Sequence, residues 1–145
     1  MDDPDFPAIS LYGSVLSGAL SSAGYENVSR DIDMHKGLLV IAFEGTAGRE
    51  NEYLASVLHI IEKLSCDEPE QSVFDAARSS EAGRYSAVVK DSASNEEFLF
   101  SSVLLGLDCT ADDFAQAVSV TDAASVLAIA RSIEPDMFTV CGIPE

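Results

Sequence analysis

The residues of this chain best spaced for metal chemistry are Asp31, Asp33 and His35, alternating along Asp31-Ile32-Asp33-Met34-His35. On an extended backbone alternate side chains share a face, so two carboxylates and an imidazole would converge. The string fails as a calcium loop. Counted from Asp31, the sixth and twelfth positions are Lys36 and Ala42, where Gly and Glu are required. Three ligands from one short strand do not close a coordination shell, and a solvated turn before a strand accounts for the string better. Gly45-Thr46-Ala47-Gly48-Arg49 offers backbone amides and one guanidinium to an anion. It lacks the Lys-Ser/Thr ending of a phosphate loop and the further glycine of a dinucleotide fingerprint. The GxxG loop that grips RNA phosphates joins two helices, whereas this one follows a strand in an acidic chain, so it reads as a turn.

Nucleophilic and acid–base chemistry fare no better. The histidines are His35 and His59, and His59 lies in an apolar run where a half-buried side chain is expected. The carboxylate pairs Glu96-Glu97 and Asp112-Asp113 are sequence neighbours. Adjacent residues point to different faces, whereas acid–base pairs oppose each other across a cleft. Asp112 and Asp113 suit the first turn of a helix. No Gly-x-Ser-x-Gly elbow and no His-Glu-x-x-His pattern occurs. Cys66, Cys109 and Cys141 are odd in number and widely spaced, which gives no disulfide framework and no Cys-x-x-Cys motif. They read as buried small hydrophobes in a reducing compartment, with Cys141 near the C-terminus as the exposed exception. The expectation is a protein that is not an enzyme, with no catalytic residue, cofactor or metal.

The elements around these residues set the fold class. Of 145 residues 47% are hydrophobic, enough for one domain with its own core. Against 3 Lys and 5 Arg stand 13 Asp and 12 Glu, a formal net charge of −17. That balance excludes binding to a nucleic-acid backbone and docking on anionic lipid, both of which need basic side chains. The acidic start Met1-Asp2-Asp3-Pro4-Asp5 is unlike a signal peptide. The longest apolar runs, Gly37–Phe43 and Val103–Leu107, are far short of a membrane span. A cytoplasmic protein is expected.

Asp5-Phe6-Pro7 starts a helix whose apolar stripe is Ile9, Tyr12, Val15, Leu16, Ala19, Leu20 and Ala23, with Gly24 as its left-handed cap. Tyr25 to Lys36 is a loop or weak strand. Gly37 to Glu44 is a strand, apolar on both faces and therefore central in a sheet. Glu52 to Leu64 fits a helix stripe through Tyr53, Leu54, Val57, Leu58, Ile60, Ile61 and Leu64, and fits a strand less well through Leu54, Leu58, Ile60 and Leu64. Asp67 to Glu70 starts a helix that stops near Gly83. Tyr85–Lys90 and Phe98–Leu107 then read as an antiparallel hairpin. Thr110 caps a further helix, interrupted at Val120-Thr121-Asp122 with Thr121 capping its second segment to Glu134, and Met137–Val140 is a short strand.

This order, with Tyr85–Asp91, Phe98–Leu107 and Thr110–Ile133 as a strand-strand-helix end and Leu11–Tyr25 and Gly37–Glu44 as an opening helix and strand, resembles the type III secretion chaperone superfold shared with YbjN-like proteins. The resemblance spans about residues 8–134, departs in lacking a clear third strand between Gly45 and Asp67, and implies that Glu52–Leu64 is a strand. The expected fold class is α+β: one domain over residues 1–145, an antiparallel sheet with helices on one face, and the order α-β-β-α-β-β-α, with flexible tails at 1–7 and 136–145. The resemblance implies a homodimer that binds an extended segment of a client protein. The expected function is thus a non-catalytic, chaperone-like protein-binding module. Leu54, Val57 and Leu58 are its candidate partner-binding residues, because they are the apolar side chains least securely assigned to the core. The alternative is an acidic inhibitor, an immunity protein or nucleic-acid mimic, that fills a basic groove. A third reading takes the acidity as that of a halophile's ordinary protein.

Overall fold

Leu11, Tyr12, Val15, Leu16 and Leu20 recur at three- and four-residue spacing and wind into α1 (Phe6–Ser22), which a computed structural model, describing residues 6–33 and 36–141, buries on nearly every side. A helix apolar around most of its circumference has to sit at the centre of a domain. α1 accordingly packs against two strands, β1 (Glu26–Asp33) and β2 (Leu38–Glu44), and four helices, α2 (Glu50–Cys66), α3 (Gln71–Val88), α5 (Ala111–Val120) and α6 (Ala123–Ser132). It ends as the sequence predicts. Gly24 takes φ 93°, its N–H donates to the Ser21 carbonyl at 3.1 Å, and that of Tyr25 donates to the Leu20 carbonyl at 3.2 Å.

β1 and β2 pair antiparallel, with Arg30 opposite Ile41 and Ile32 opposite Leu39 on the face turned to α1. Gly13 of α1 permits this approach, since a Cβ there would stand 3.2 Å from Leu39 Cδ1. The other face carries Leu38 and Val40 opposite Asp33 and Asp31, and it is open, Val40 being 50% exposed. Among the described residues no third strand joins, so β2 is not the central strand that its apolar run suggests.

Further expectations are corrected. Glu52–Leu64 is helical, not the strand implied by the resemblance: Val57, Ile60, Ile61 and Leu64 of α2 turn together onto the core. The opening α-β-β-α order is present, but its two strands are 26–33 and 38–44. α3 runs straight through Gly83, because Phe74, Ala77, Glu81 and Tyr85 form one helical stripe that outweighs the short Tyr85-Ala87-Val89 alternation. The hairpin partner expected at Phe98–Leu107 is mostly helix α4 (Ser92–Leu104). The turn-rich Asp91-Ser92-Ala93-Ser94 is its cap, Asp91 accepting from the Ser94 N–H at 3.0 Å. Gly106 at φ 68° closes it with the same pair of bonds that ends α1, Leu107 N–H to Ser102 and Gly106 N–H to Val103. No strand forms at Met137–Val140.

Helix α5 begins with the capping box expected at Thr110, whose side chain and that of Asp113 each accept from the other's backbone N–H. α6 is capped by Asp122 and not by Thr121, whose hydroxyl donates back to Ala117. Phe6 and Pro7 belong to α1, while residues 1–5 and 142–145 of the expected tails lie outside the described residues. The chain is mixed helix and strand, with six helices and one two-stranded antiparallel sheet among the described residues. No single helix there is long and apolar enough to cross a membrane. α5 and α6 reach that composition only as a pair bent by 99°, with Phe114, Val118, Val126 and Ile129 buried in the core.

One charge lies inside this core. Glu81 of α3 is 0% exposed, accepts from Ser10 Oγ of α1 at 2.7 Å and is paired with Arg30 of β1. Removing one member of a buried pair strands the other without solvation. Glu81→Ala is therefore expected to lower stability by about 3–5 kcal/mol in urea unfolding, and Arg30→Ala to add little in the Glu81→Ala background. A loss below about 1 kcal/mol would show that the pair does not hold the fold. Tyr12 makes the opposite case. Its hydroxyl is buried without a hydrogen-bond partner, and burial pushes its pKa up to about 12. Tyr12→Phe removes an unmet polar group and is expected to raise stability by about 1 kcal/mol. The native state keeps Tyr12 neutral while the unfolded chain ionises near pH 10, so stability falls between about pH 10 and 12. The Phe variant lacks that part of the alkaline loss.

Candidate functional site

Asp31, Asp33 and Arg49 are engaged in local bonds. Asp31 and Asp33 accept backbone N–H groups from Ile32 and Lys36, at 2.9 and 3.1 Å, and His35 lies outside the described residues. Among the described residues no group of three or more His, Cys, Asp and Glu side chains could hold a metal ion. In the Gly45–Arg49 turn the Thr46 N–H donates to Tyr53 Oη at 2.9 Å, and the Gly48 N–H to the Glu50 carboxylate at 2.9 Å. Arg49 is paired with Glu52 at 2.7 Å and lies 5.5 Å over the Tyr53 ring. Two of the amides and the guanidinium that an anion would need are thus already bonded. His59 is exposed on α2, not half-buried.

This turn borders a groove of about 610 Å³ lined by Tyr25, Glu26, Glu44, Arg49, Glu52 and Tyr53. The rings of Tyr25, Phe43 and Tyr53 meet edge to face at 4.6–6.0 Å and close on one another, clamping the open end of the hairpin to α2. Gly45 is required there, because a Cβ would lie 2.6 Å from Tyr53 Cε2.

The three partner-binding candidates lie close together on α2 at i, i+3 and i+4 spacing. Val57 packs on the core, Leu54 is half-buried and Leu58 is 40% exposed. The larger apolar surface is on α4. Phe98, Ser102 and Leu105 face inward, Phe98 meeting Tyr85 and Phe114 edge to face with centroids 6.1 Å apart. On the opposite side of the helix Phe100, Val103 and Leu104 are 66%, 75% and 56% exposed. Reading the segment as a strand hid this face, since alternation splits Phe100 and Val103 between two sides. The Asp91 cap and Gly106 stop were the signals that could have exposed it.

Beside this face is a cavity of about 160 Å³ lined by Leu99, Ser102, Val103, Leu107, Cys109 and Thr110, with the carboxylates of Asp108 and Asp113 at its rim. Hydrogen bonds from the Thr110 hydroxyl and N–H hold the Asp113 carboxyl below the usual aspartate range, so its charge is fixed. Burial pushes the Cys109 thiol up, a hydrogen bond with Ser102 opposes the rise, and Asp113 and Asp108 add to it. The hollow thus combines a thiol and two carboxylates with the apolar side chains of Leu99, Val103 and Leu107. No nucleophile–base pair is assembled there.

No protein-family model matches the chain, and no curated protein matches it. The cavity gives a direct chemical check. With iodoacetamide at pH 8, read by mass spectrometry, exposed Cys66 and Cys141 should be alkylated first and Cys109 last. Cys109 reacting as fast as the other two would contradict its burial.

Proposed function

We propose that the chain is a non-catalytic protein-binding module of chaperone type, holding a segment of a client protein against the outer face of α4. The carrying observation is the exposure of Phe100, Val103 and Leu104 together on one helix. Single apolar residues at a surface are ordinary, but large ones gathered on one exposed face mark interaction sites. The acidity keeps such a surface soluble between encounters, and three free cysteines suit a reducing compartment. A second reading, an acidic inhibitor that fills a basic groove, is favoured by the seven acids and absence of any basic residue over residues 91–130.

Affinity capture from native lysate at low and high salt, with mass spectrometry, tests both. The module predicts a partner that the wild-type chain and Leu58→Asp recover and the Phe100→Asp/Val103→Asp variant loses, with recovery reduced but not abolished at high salt. The inhibitor predicts recovery that disappears with salt and is indifferent to Phe100 and Val103. Both positions are exposed, so each substitution should change stability by no more than about 0.5 kcal/mol.

A further inference from the structure

The α4 face carries a charge pattern as well as an apolar one. Glu96 and Glu97 lie one turn before Phe100 and on its side of the helix, at i, i+3 and i+4 spacing, and both are exposed. Beyond Leu104 stand Asp108 and Asp113, at the rim of the recess that Leu99 and Val103 help to line. The apolar strip is therefore bracketed by carboxylates at both ends. From Glu96 to Leu104 the helix rises about 12 Å, little more than two turns. The sequence from Asp91 to Ala130 holds no Lys, Arg or His.

We infer that the occupant of this face is a cationic amphipathic helix of another protein, with apolar residues seated on Phe100, Val103 and Leu104 and basic residues meeting Glu96, Glu97 and Asp108 at either end. The inference rests on the protein-binding reading and names the chemistry of its partner. Two physical arguments select this occupant. The backbone of α4 is hydrogen-bonded within its own helix and its caps, so a strand laid on it would find no main-chain partner. A helix arrives with its own backbone satisfied and offers side chains at the matching spacing. A second copy of the chain would bring a formal −17 against −17 and set carboxylates against the same carboxylates. A basic segment converts that repulsion into complementarity.

The probes are four 18-residue peptides. Three share one leucine stripe, with Lys, Gln or Glu on the polar face. The fourth has the Lys composition in scrambled order. Binding to the full chain is followed by fluorescence polarisation at 50 and 500 mM salt. The Lys amphipath should bind at least about tenfold more tightly than the Gln, Glu and scrambled peptides at low salt, and weaken about tenfold at high salt. Val103→Asp should cost it about thirtyfold, the scale of an interface anchor. Glu96→Gln/Glu97→Gln should cost several-fold for the Lys peptide and nothing for the Gln peptide. If Val103→Asp is not folded by circular dichroism, Phe100→Ser and Val103→Ser carry the same comparison.

Equal binding of the Lys and Gln peptides overturns the cationic partner, as does equal binding of the scrambled peptide. Sedimentation showing a wild-type dimer that Val103→Asp dissociates overturns it in favour of a second copy. No binding by any peptide, with lysate capture still lost in the α4 variants, overturns this inference and leaves the protein-binding reading standing. Capture indifferent to α4 overturns both.

Discussion

A carboxylate without access to water constrains this fold more than any apolar contact does. Glu81 sits on α3, and its partners come from α1 through Ser10 and from β1 through Arg30. A buried charge tolerates little displacement of its counterion, since each unmet hydrogen bond is expensive in a low dielectric. The hairpin therefore lies in one register over α1, with Arg30 inward and Leu39 and Ile41 beside it. Two strands alone make a marginal sheet. This pair keeps its place through the ionic tie at its centre, the passage over Gly13 and the aromatic clamp at its open end.

What was legible in the sequence was local and redundant. α1 announces itself by stripe and by Gly24, β2 by a β-branched run between glycines, and α5 by the Thr110–Asp113 box. What failed was the choice of period in short apolar segments. Tyr85–Lys90 and Phe98–Leu107 alternate over a few residues, and those residues are also compatible with a 3.6 period. The decision came from outside each segment: Phe74 and Glu81 continue through Tyr85 as one helical stripe, and Asp91 and Gly106 bound α4. The resemblance to secretion chaperones rested on those two segments as strands, so its most specific part is not formed. Arg30 meeting Glu81 was not legible at all, because nothing local ties residues 51 apart in sequence.

The candidate surface follows from the same misreading. A hairpin would have paired Phe98–Leu107 along both edges and hidden half of its side chains. A helix held mainly by Phe98, Ser102 and Leu105 against α3 and α5 leaves its outer half to solvent. Leu54 and Val57, chosen because their place in the core was doubtful, turn out to be half-buried. The charge of −17 also gains a location. It is dispersed over the chain as a whole, yet it goes unanswered by any basic residue from α4 to most of α6, the region that carries the exposed apolar side chains.

That one-signed stretch has a consequence for how the region can be cut and labelled. Trypsin acts after Lys and Arg, and between Lys90 and Arg131 there is neither. Complete digestion therefore releases α4, α5 and all but the last residue of α6 together as one fragment, Asp91 to Arg131. Amine-directed reagents likewise find no lysine between those ends. Covalent mapping of this face depends on its carboxylates and on Cys109, and the digest itself preserves which of the three helices were modified on the same molecule.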